Sequence, residues 1–366
     1  MSELFKLDKS AIKLDLKPGR LDGKNSEYKS GAGFIPKKLN NEIEVLLQMH
    51  KDLAAHKEKK VGQGTQDKRR TVIKGFFADA RKLKFKIESV HSLKEKHLHA
   101  VFRHLESQGQ SPSTIQNKIS IMRVFCEWIG KPGMVRNSAH YVDDKASVTR
   151  TMVAREDKSW DAKGVDIEEI LEKVRAKDQF VAIELELCLG FGLRVKEAMM
   201  LRPLACRDGS GEYIHVREGT KGDRPRVVPI ENAVQRKLLD RAVEIMDKKT
   251  GFLGGRGKTL AQKRNRFYYV LKSCGVTLSE QDISAHGLRH QYMQESFRVM
   301  LGIDPPVKGG DLSELDPDEF HVASQKLMER AGHTRVAIGA SYYGSRRIQK
   351  ANPEYAENQS FPMRGE

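Results

Sequence analysis

The stretch SAHGLRHQYMQ, residues 284–294, places two histidines four apart with an arginine between them. Four residues is about one helical turn, so on a helix His286 and His290 would share a face, as paired zinc ligands do. A zinc peptidase helix carries a glutamate directly after its first histidine. Here that residue is Gly287. The second reading turns on Arg289, whose planar fork three residues after His286 suits a bound anion such as a phosphate. Either reading makes the protein an enzyme.

Composition narrows the choice. A chain of 366 residues exceeds a comfortable single domain, so two domains plus tails are expected. It carries 65 Lys+Arg against 49 Asp+Glu, a net +16. That excess favours a polyanionic partner, nucleic acid first and an anionic membrane surface second. The longest apolar run, VAIELELCLGFGL at 181–193, is interrupted by Glu184 and Glu186 and is too short and too polar to span a bilayer. No signal-peptide pattern opens the sequence, and Cys126, Cys188, Cys206 and Cys274 are too scattered for a CxxC site or a disulfide framework. The expectation is a reduced, cytoplasmic protein with no membrane partner.

The charge is uneven. Residues 1–90 hold 21 Lys+Arg and 12 Asp+Glu, which gives +9 of the +16. Residues 1–40, with Pro18, Gly19, Gly23, Gly31, Gly33 and Pro36, lack an apolar period and read as a basic extended arm. Helical periodicity begins near residue 41 and recurs four times up to residue 130, with Ser92 expected to cap the third helix and Ser113 or Thr114 the fourth. HKEKK at 56–60 and DKRR at 67–70 flank VGQGTQ and read as a basic loop between the first two helices. Lys68, Arg69 and Arg70 on that loop, with Lys118 and Arg123 on the fourth helix, are the candidate DNA contacts. Taken singly, any such lysine is more often part of a solvated surface. Residues 131–162 lose the period and read as an interdomain linker.

From 163 to 345 helices resume, broken by one convincing strand pair, EYIHVRE and RPRVVPI, joined by GTKGD with Lys221 at the tip. Three boxes stand out in this half: GFGLRVKEAMML, HGLRHQYM and AGHTRVAIGASYYG. With the hairpin lysine, in this order, they resemble the tyrosine recombinases, the lambda-integrase-like family that cuts and rejoins DNA through a phosphotyrosine. The helical bundle before them is similar to the SAM-like core-binding domain of mobile-element integrases. The implied fold is mainly α with a small β-hairpin: an N-terminal helical DNA-binding bundle and a C-terminal α+β catalytic domain. Each box is weak alone; the conjunction in this order is specific. A spacing test sharpens it, since the family's tyrosine follows the third-box histidine by nine residues, and His333 plus nine is Tyr342.

The resemblance implies roles. Arg194 and Arg289 would bind the non-bridging oxygens of the scissile phosphate, and Lys221 would protonate the leaving 5′ oxygen. His286 and His333 would be the second- and third-box histidines, Tyr342 the nucleophile and Glu197 the acidic buttress. Read by itself, His290 is expected to pack or hydrogen-bond within the site without touching phosphate. Physical chemistry justifies these residue types. Arginine offers permanent charge and paired donors to a phosphorane, and a phenol of ordinary pKa about 10 needs a base or a cationic setting to attack. No cofactor, metal or ATP is implied; there is no Walker loop, and the phosphotyrosine retains the energy of the broken phosphodiester.

The implied partners are duplex DNA with specific sites, three further copies of the chain in a synaptic tetramer, and accessory DNA-bending or directionality proteins. A type IB topoisomerase, a catalytically idle DNA-binding relative and a zinc hydrolase on His286 and His290 are the alternatives. Two departures stand out. The acidic stretch 303–320 lengthens the connection between the second and third boxes and should be repelled by DNA, and the tail 346–366 has little apolar periodicity.

Overall fold

The computed structural model of the protein describes residues 35–52, 61–254, 257–313 and 315–345. The chain divides between Arg150 and Thr151 into two compact units, each built on its own apolar core.

The first unit packs four helices: α1 (Lys37–Met49), α2 (Gln63–Lys82), α3 (Glu95–Ser107) and α4 (Pro112–Trp128). Each contributes one stripe to the core, for example Leu39, Ile43 and Leu47 from α1 and Leu98, Val101, Phe102 and Leu105 from α3. Several local expectations shift. Helix α1 starts at Lys37, inside the stretch read as an arm, because Leu39 already belongs to its buried stripe. DKRR lies on α2, not in a loop, with Arg69 on the same buried face as Ile73 and Phe76. HKEKK falls outside the described residues.

The expected caps shift as well. Ser89 caps a short 3-10 turn, Val90–Ser92, and α3 begins after it at Glu95. Ser111 caps α4, accepting from the Thr114 N–H, since Pro112 at the first helical position has no N–H to satisfy.

The stretch read as a linker is divided between the units. Up to Arg150 it stays with the bundle, burying Tyr141 and Val148 in the bundle core. From Thr151 it joins the second unit, whose core holds Trp160.

The second unit contains α5 (Ile167–Lys177), α6 (Gln179–Phe191), α7 (Val195–Met199), strands β1 (Tyr213–Val216) and β2 (Arg226–Pro229), then α8 (Ala233–Ile245), α9 (Leu260–Ser273), α10 (Ala285–Leu301), α11 (Pro317–Arg330) and α12 (Ala340–Tyr343). Helix α6 is central: it is buried nearly all round and packs on α5, α7, α8 and α10. Gly192 ends it in the left-handed region at φ 58°, where a Cβ would meet the Tyr292 ring at 2.3 Å. The strands pair antiparallel with Ile214 opposite Val228 and His215 opposite Val227. Ile214, Val216 and Val228 face the core while Tyr213 and Val227 face solvent, as the sequence alternation requires.

The acidic stretch is anchored by its apolar residues. Pro306, Val307 and Leu312 are buried, and a short turn, Pro306–Lys308, packs against α12. Asp304, Asp311, Asp316, Asp318 and Glu319 stay exposed, so the charges face solvent while the apolar residues fold inward. The tail 346–366 lies outside the described residues. The architecture is mainly α with one small β-hairpin.

Candidate active site

The three boxes converge in the second unit. Helix α10 begins at Ala285, and the Lys158 backbone and the Trp160 ring cross its first turn so closely that a Cβ on residue 287 would lie 2.5 Å from the Lys158 carbonyl oxygen. Gly287 therefore sits where the zinc-peptidase pattern places glutamate because there is no room for a side chain. Trp160 fixes this approach by donating its indole N–H to the Ser284 carbonyl at 2.8 Å.

From that turn Arg289 points inward and is 1 % exposed. Its guanidinium donates to the carbonyls of Gly192 and Ala331 and, through Nε, to the Tyr342 hydroxyl at 3.2 Å. Arg194 stands opposite, at the start of α7. Its Nη1 donates to Glu197 at 2.7 Å, and its Nη2 donates to the Ala331 carbonyl at 3.1 Å and to His333 Nε2 at 3.4 Å. One carbonyl, that of Ala331, thus draws the two arginines together, and its residue lies two before His333.

The proton positions around Tyr342 follow from donor counting. Guanidinium nitrogens only donate, so His333 Nε2, facing Arg194, must present its lone pair. Tyr342 Oη lies 3.2 Å from the same nitrogen and already accepts from Arg289. Its own proton therefore goes to His333.

Burial first, then the charges of Arg194, Arg289 and Lys221, push the His333 imidazole down to about 4. His290 is pushed down to about 3 by burial and by His286, Lys158 and Arg289. His286 is lowered as well, by partial burial and then by the charges of Arg289, Arg194 and Lys158, although its side chain reaches solvent. All three imidazoles are neutral near pH 7.

Beneath the arginines lies Glu197, fully buried. Burial raises its carboxyl, but a forked pair of bonds from Arg226 at 2.8 and 2.7 Å and the charge of Arg194 hold it down at about 2. Arg226 also donates to the Arg330 carbonyl at 2.6 Å. It ties β2 of the hairpin to α7 and to the end of α11, and Gly332 leaves it space, since a Cβ there would lie 3.1 Å from the arginine stem.

The site gathers Arg194, Glu197, His286, Arg289, His290, His333 and Tyr342. It does not gather Lys221, which is exposed on the connection between the strands and reaches the group only through its charge on His333. His286 and His290 stand edge to face with centroids 5.1 Å apart. Among the described residues no further His, Cys, Asp or Glu joins them in a group that could hold a metal ion.

Of the five candidate DNA contacts, Lys68 stands exposed and Arg70 keeps 42% of its side chain exposed. Arg69 is buried over the Trp128 ring at 5.2 Å, and Arg70 pairs with Glu44. Lys118 donates to Gln110, and Arg123 to the Arg136 carbonyl. Sequence reading missed Arg226, although a signal was present: it shares the inward register of β2 with Val228, and an arginine at a core position demands a buried partner. Lys158 and Trp160 were missed because nothing local marks a segment that only crosses a distant helix.

No helix among the described residues is long and apolar enough to cross a membrane. No curated protein matches the sequence. Among solved structures, the chain is similar to a lambda integrase dimer bound to a COC′ core site, with 17% identity and a TM-score of 0.50 over 83% of this chain and 77% of that one. It is also similar to the Tn1549 transposon integrase in complex with transposon right end DNA, with 15% identity and a TM-score of 0.51 over 85% and 98%. A lambda integrase tetramer bound to a Holliday junction matches with 15% identity and a TM-score of 0.50 over 80% and 77%. At these identities the likeness is one of fold.

The family model described as Integrase matches residues 152–295, and that described as Phage integrase, N-terminal, matches residues 44–135. The first of these takes in Arg194, Lys221, His286 and Arg289 and ends before His333 and Tyr342. Together the two models match the greater part of the chain, bundle first and catalytic unit second, and the chain belongs to the tyrosine recombinases of integrase type.

Proposed function

We propose that the protein is a site-specific DNA recombinase that integrates or excises a mobile element through a 3′-phosphotyrosyl intermediate. The observation that carries this reading is the placement of the Tyr342 hydroxyl between Arg289 Nε and His333 Nε2. Arg194 and Arg289 bind the scissile phosphate in place of the carbonyls they now hold, and its negative charge offsets the cations that depress His333. With that offset the imidazole becomes a better base. Tyr342 Oη attacks phosphorus, its proton passes to His333, and the P–O5′ bond breaks. The leaving 5′ oxygen takes a proton from Lys221, delivered by the hairpin. Attack by a second 5′ hydroxyl reverses the steps and rejoins the strands.

Duplex DNA with specific sites is the partner. Four copies act together, a reading supported by the relatives solved as a dimer and as a tetramer on DNA.

The test is covalent capture. The full chain is incubated with randomised nicked duplexes that trap the intermediate, and DNA that survives denaturation attached to protein is sequenced. Wild type should retain DNA enriched in one sequence, and Tyr342→Phe should retain none. No adduct, or an equal adduct from Tyr342→Phe, overturns the reading. Adduct and supercoil relaxation without exchange between two captured sites would instead assign a type IB topoisomerase.

A further inference from the structure

We propose that Gln294 and Asp157 are positioning residues that fix the main chain of Tyr342 relative to Arg289. The proposal rests on Tyr342 being the nucleophile.

Helix α12 has four residues, Ala340–Tyr343. A single turn cannot sustain itself, because nucleation fixes several residues for one hydrogen bond and leaves the terminal carbonyls without helical partners. Tyr342 is therefore held from outside. The Ala340 carbonyl accepts from the Ala154 N–H at 2.8 Å. The Tyr342 carbonyl accepts from Gln294 Nε2 at 3.1 Å, and the same nitrogen donates to Asp157 Oδ1 at 2.8 Å. Asp157 is itself fixed by the Ser159 N–H at 2.9 Å.

The amide orientation is forced. The two neighbours of that nitrogen, a carbonyl and a carboxylate, only accept, so the NH₂ end must face them. The network is closed to solvent, with Gln294 at 1 % and Asp157 at 9 % exposure. Nothing in the chemistry proposed above uses these side chains.

Their placement gives them a purpose. Arg289 and Gln294 project from one rigid helix, α10; the first holds the Tyr342 hydroxyl and the second its main chain. Two grips from one helix fix the distance from Oη to the guanidinium. Ala154 and Asp157 lie just past the division between the units at Arg150. The stretch of chain entering the catalytic unit is thereby tied to the nucleophile's helix.

Two measurements on the full chain test this. On the duplex enriched by wild type, Gln294→Met and Asp157→Ala should slow adduct formation by about tenfold or more, as a misplaced reactive group does, while fluorescence anisotropy finds DNA affinity within about twofold of wild type. Asp157→Asn, which keeps the acceptor oxygen, should recover most of what alanine loses. In the free protein, hydrogen exchange in Gln294→Met should rise at residues 340–345 and not across α10 and α11. An unchanged cleavage rate, a parallel loss of affinity, or exchange that rises throughout the unit would overturn the proposal. If wild type forms no adduct, the functional reading fails, and the exchange measurement still decides whether Gln294 holds α12.

Discussion

The two units contain nearly the same arrangement of charges and use it differently. In the bundle, Arg70 and Lys74 share the Glu44 carboxylate, and Arg69 lies buried over an aromatic ring, Trp128. In the catalytic unit, Arg194 and Arg226 share Glu197, and Arg289 lies buried over the Tyr342 ring. The difference is solvent and what else surrounds the ring. The Glu44 side chain is 37% exposed and that of Glu197 is 0% exposed. His50 also stacks on Trp128, with centroids 4.7 Å apart. Around Tyr342 stand three neutral imidazoles and the rim that Arg194 and His286 open to solvent. A screened cluster stabilises a helix pair; a desolvated one keeps a field that can act on a phosphate.

Removing each carboxylate charge tests this contrast. Glu197→Gln should destabilise the second unit by about 3–5 kcal/mol, because it leaves the buried Arg226 guanidinium and the partly buried one of Arg194 against one neutral amide. Urea-dependent hydrogen exchange of α10 peptides reads the loss. A loss below about 1 kcal/mol would mean that the pocket is wetter than its burial indicates. Gly287→Ala comes next, at about 1–3 kcal/mol, since the added methyl meets the Lys158 carbonyl and the Trp160 ring. In a Trp128→Phe background, which leaves Trp160 as the reporter, a red shift in emission should accompany it. An unchanged spectrum and melting point would show that the crossing segment yields freely.

The pH dependence is a smaller effect with a defined sign. His290 and His333 are held at about 3 and about 4, below the ordinary 6.5. As pH falls from 6.5 toward 4 the unfolded chain takes up protons that the fold refuses, so stability drops in that window. Glu197, held at about 2 against 4.5, adds a second loss as pH falls below 4.5. The bundle shares the first window, because burial lowers its His50 and His97 too. Its Glu44, raised by burial but held below the ordinary value by Lys74 and Arg70, gives a solvent-screened counterpart of the second. Exchange of α2 and α10 peptides at pH 7, 5 and 3.5 separates the two units. The smallest effect is expected for Glu44→Gln, within about 1 kcal/mol in α2. Equal losses for the two carboxylate variants would erase the distinction drawn between the clusters.

Much of this was legible in the residues. Helical stripes such as Ile73, Phe76 and Phe77, the alternation through Ile214 and Val216, and the offset from His333 to Tyr342 are local patterns set by backbone periodicity, and they could be read without a structure. The misreadings lie where one tertiary contact outvotes local polarity. Arg69 looked like a loop cation because its neighbours are charged, yet its α2 position faces Trp128. Ser113 and Thr114 looked like caps, yet Pro112 moved the cap to Ser111.

By itself, then, the sequence determined which side chains stand at the spacings of the three boxes and the order in which the chain presents them, since both depend only on residue type and spacing. Which of them meet was a tertiary decision. Arg289 reaches Tyr342 across 53 residues, Arg226 reaches Glu197 across 29, and Gln294 reaches Asp157 across 137. Such pairings are selected by the burial of charges and carbonyls that must find partners once water is excluded, and that requirement exists only after the helices have packed.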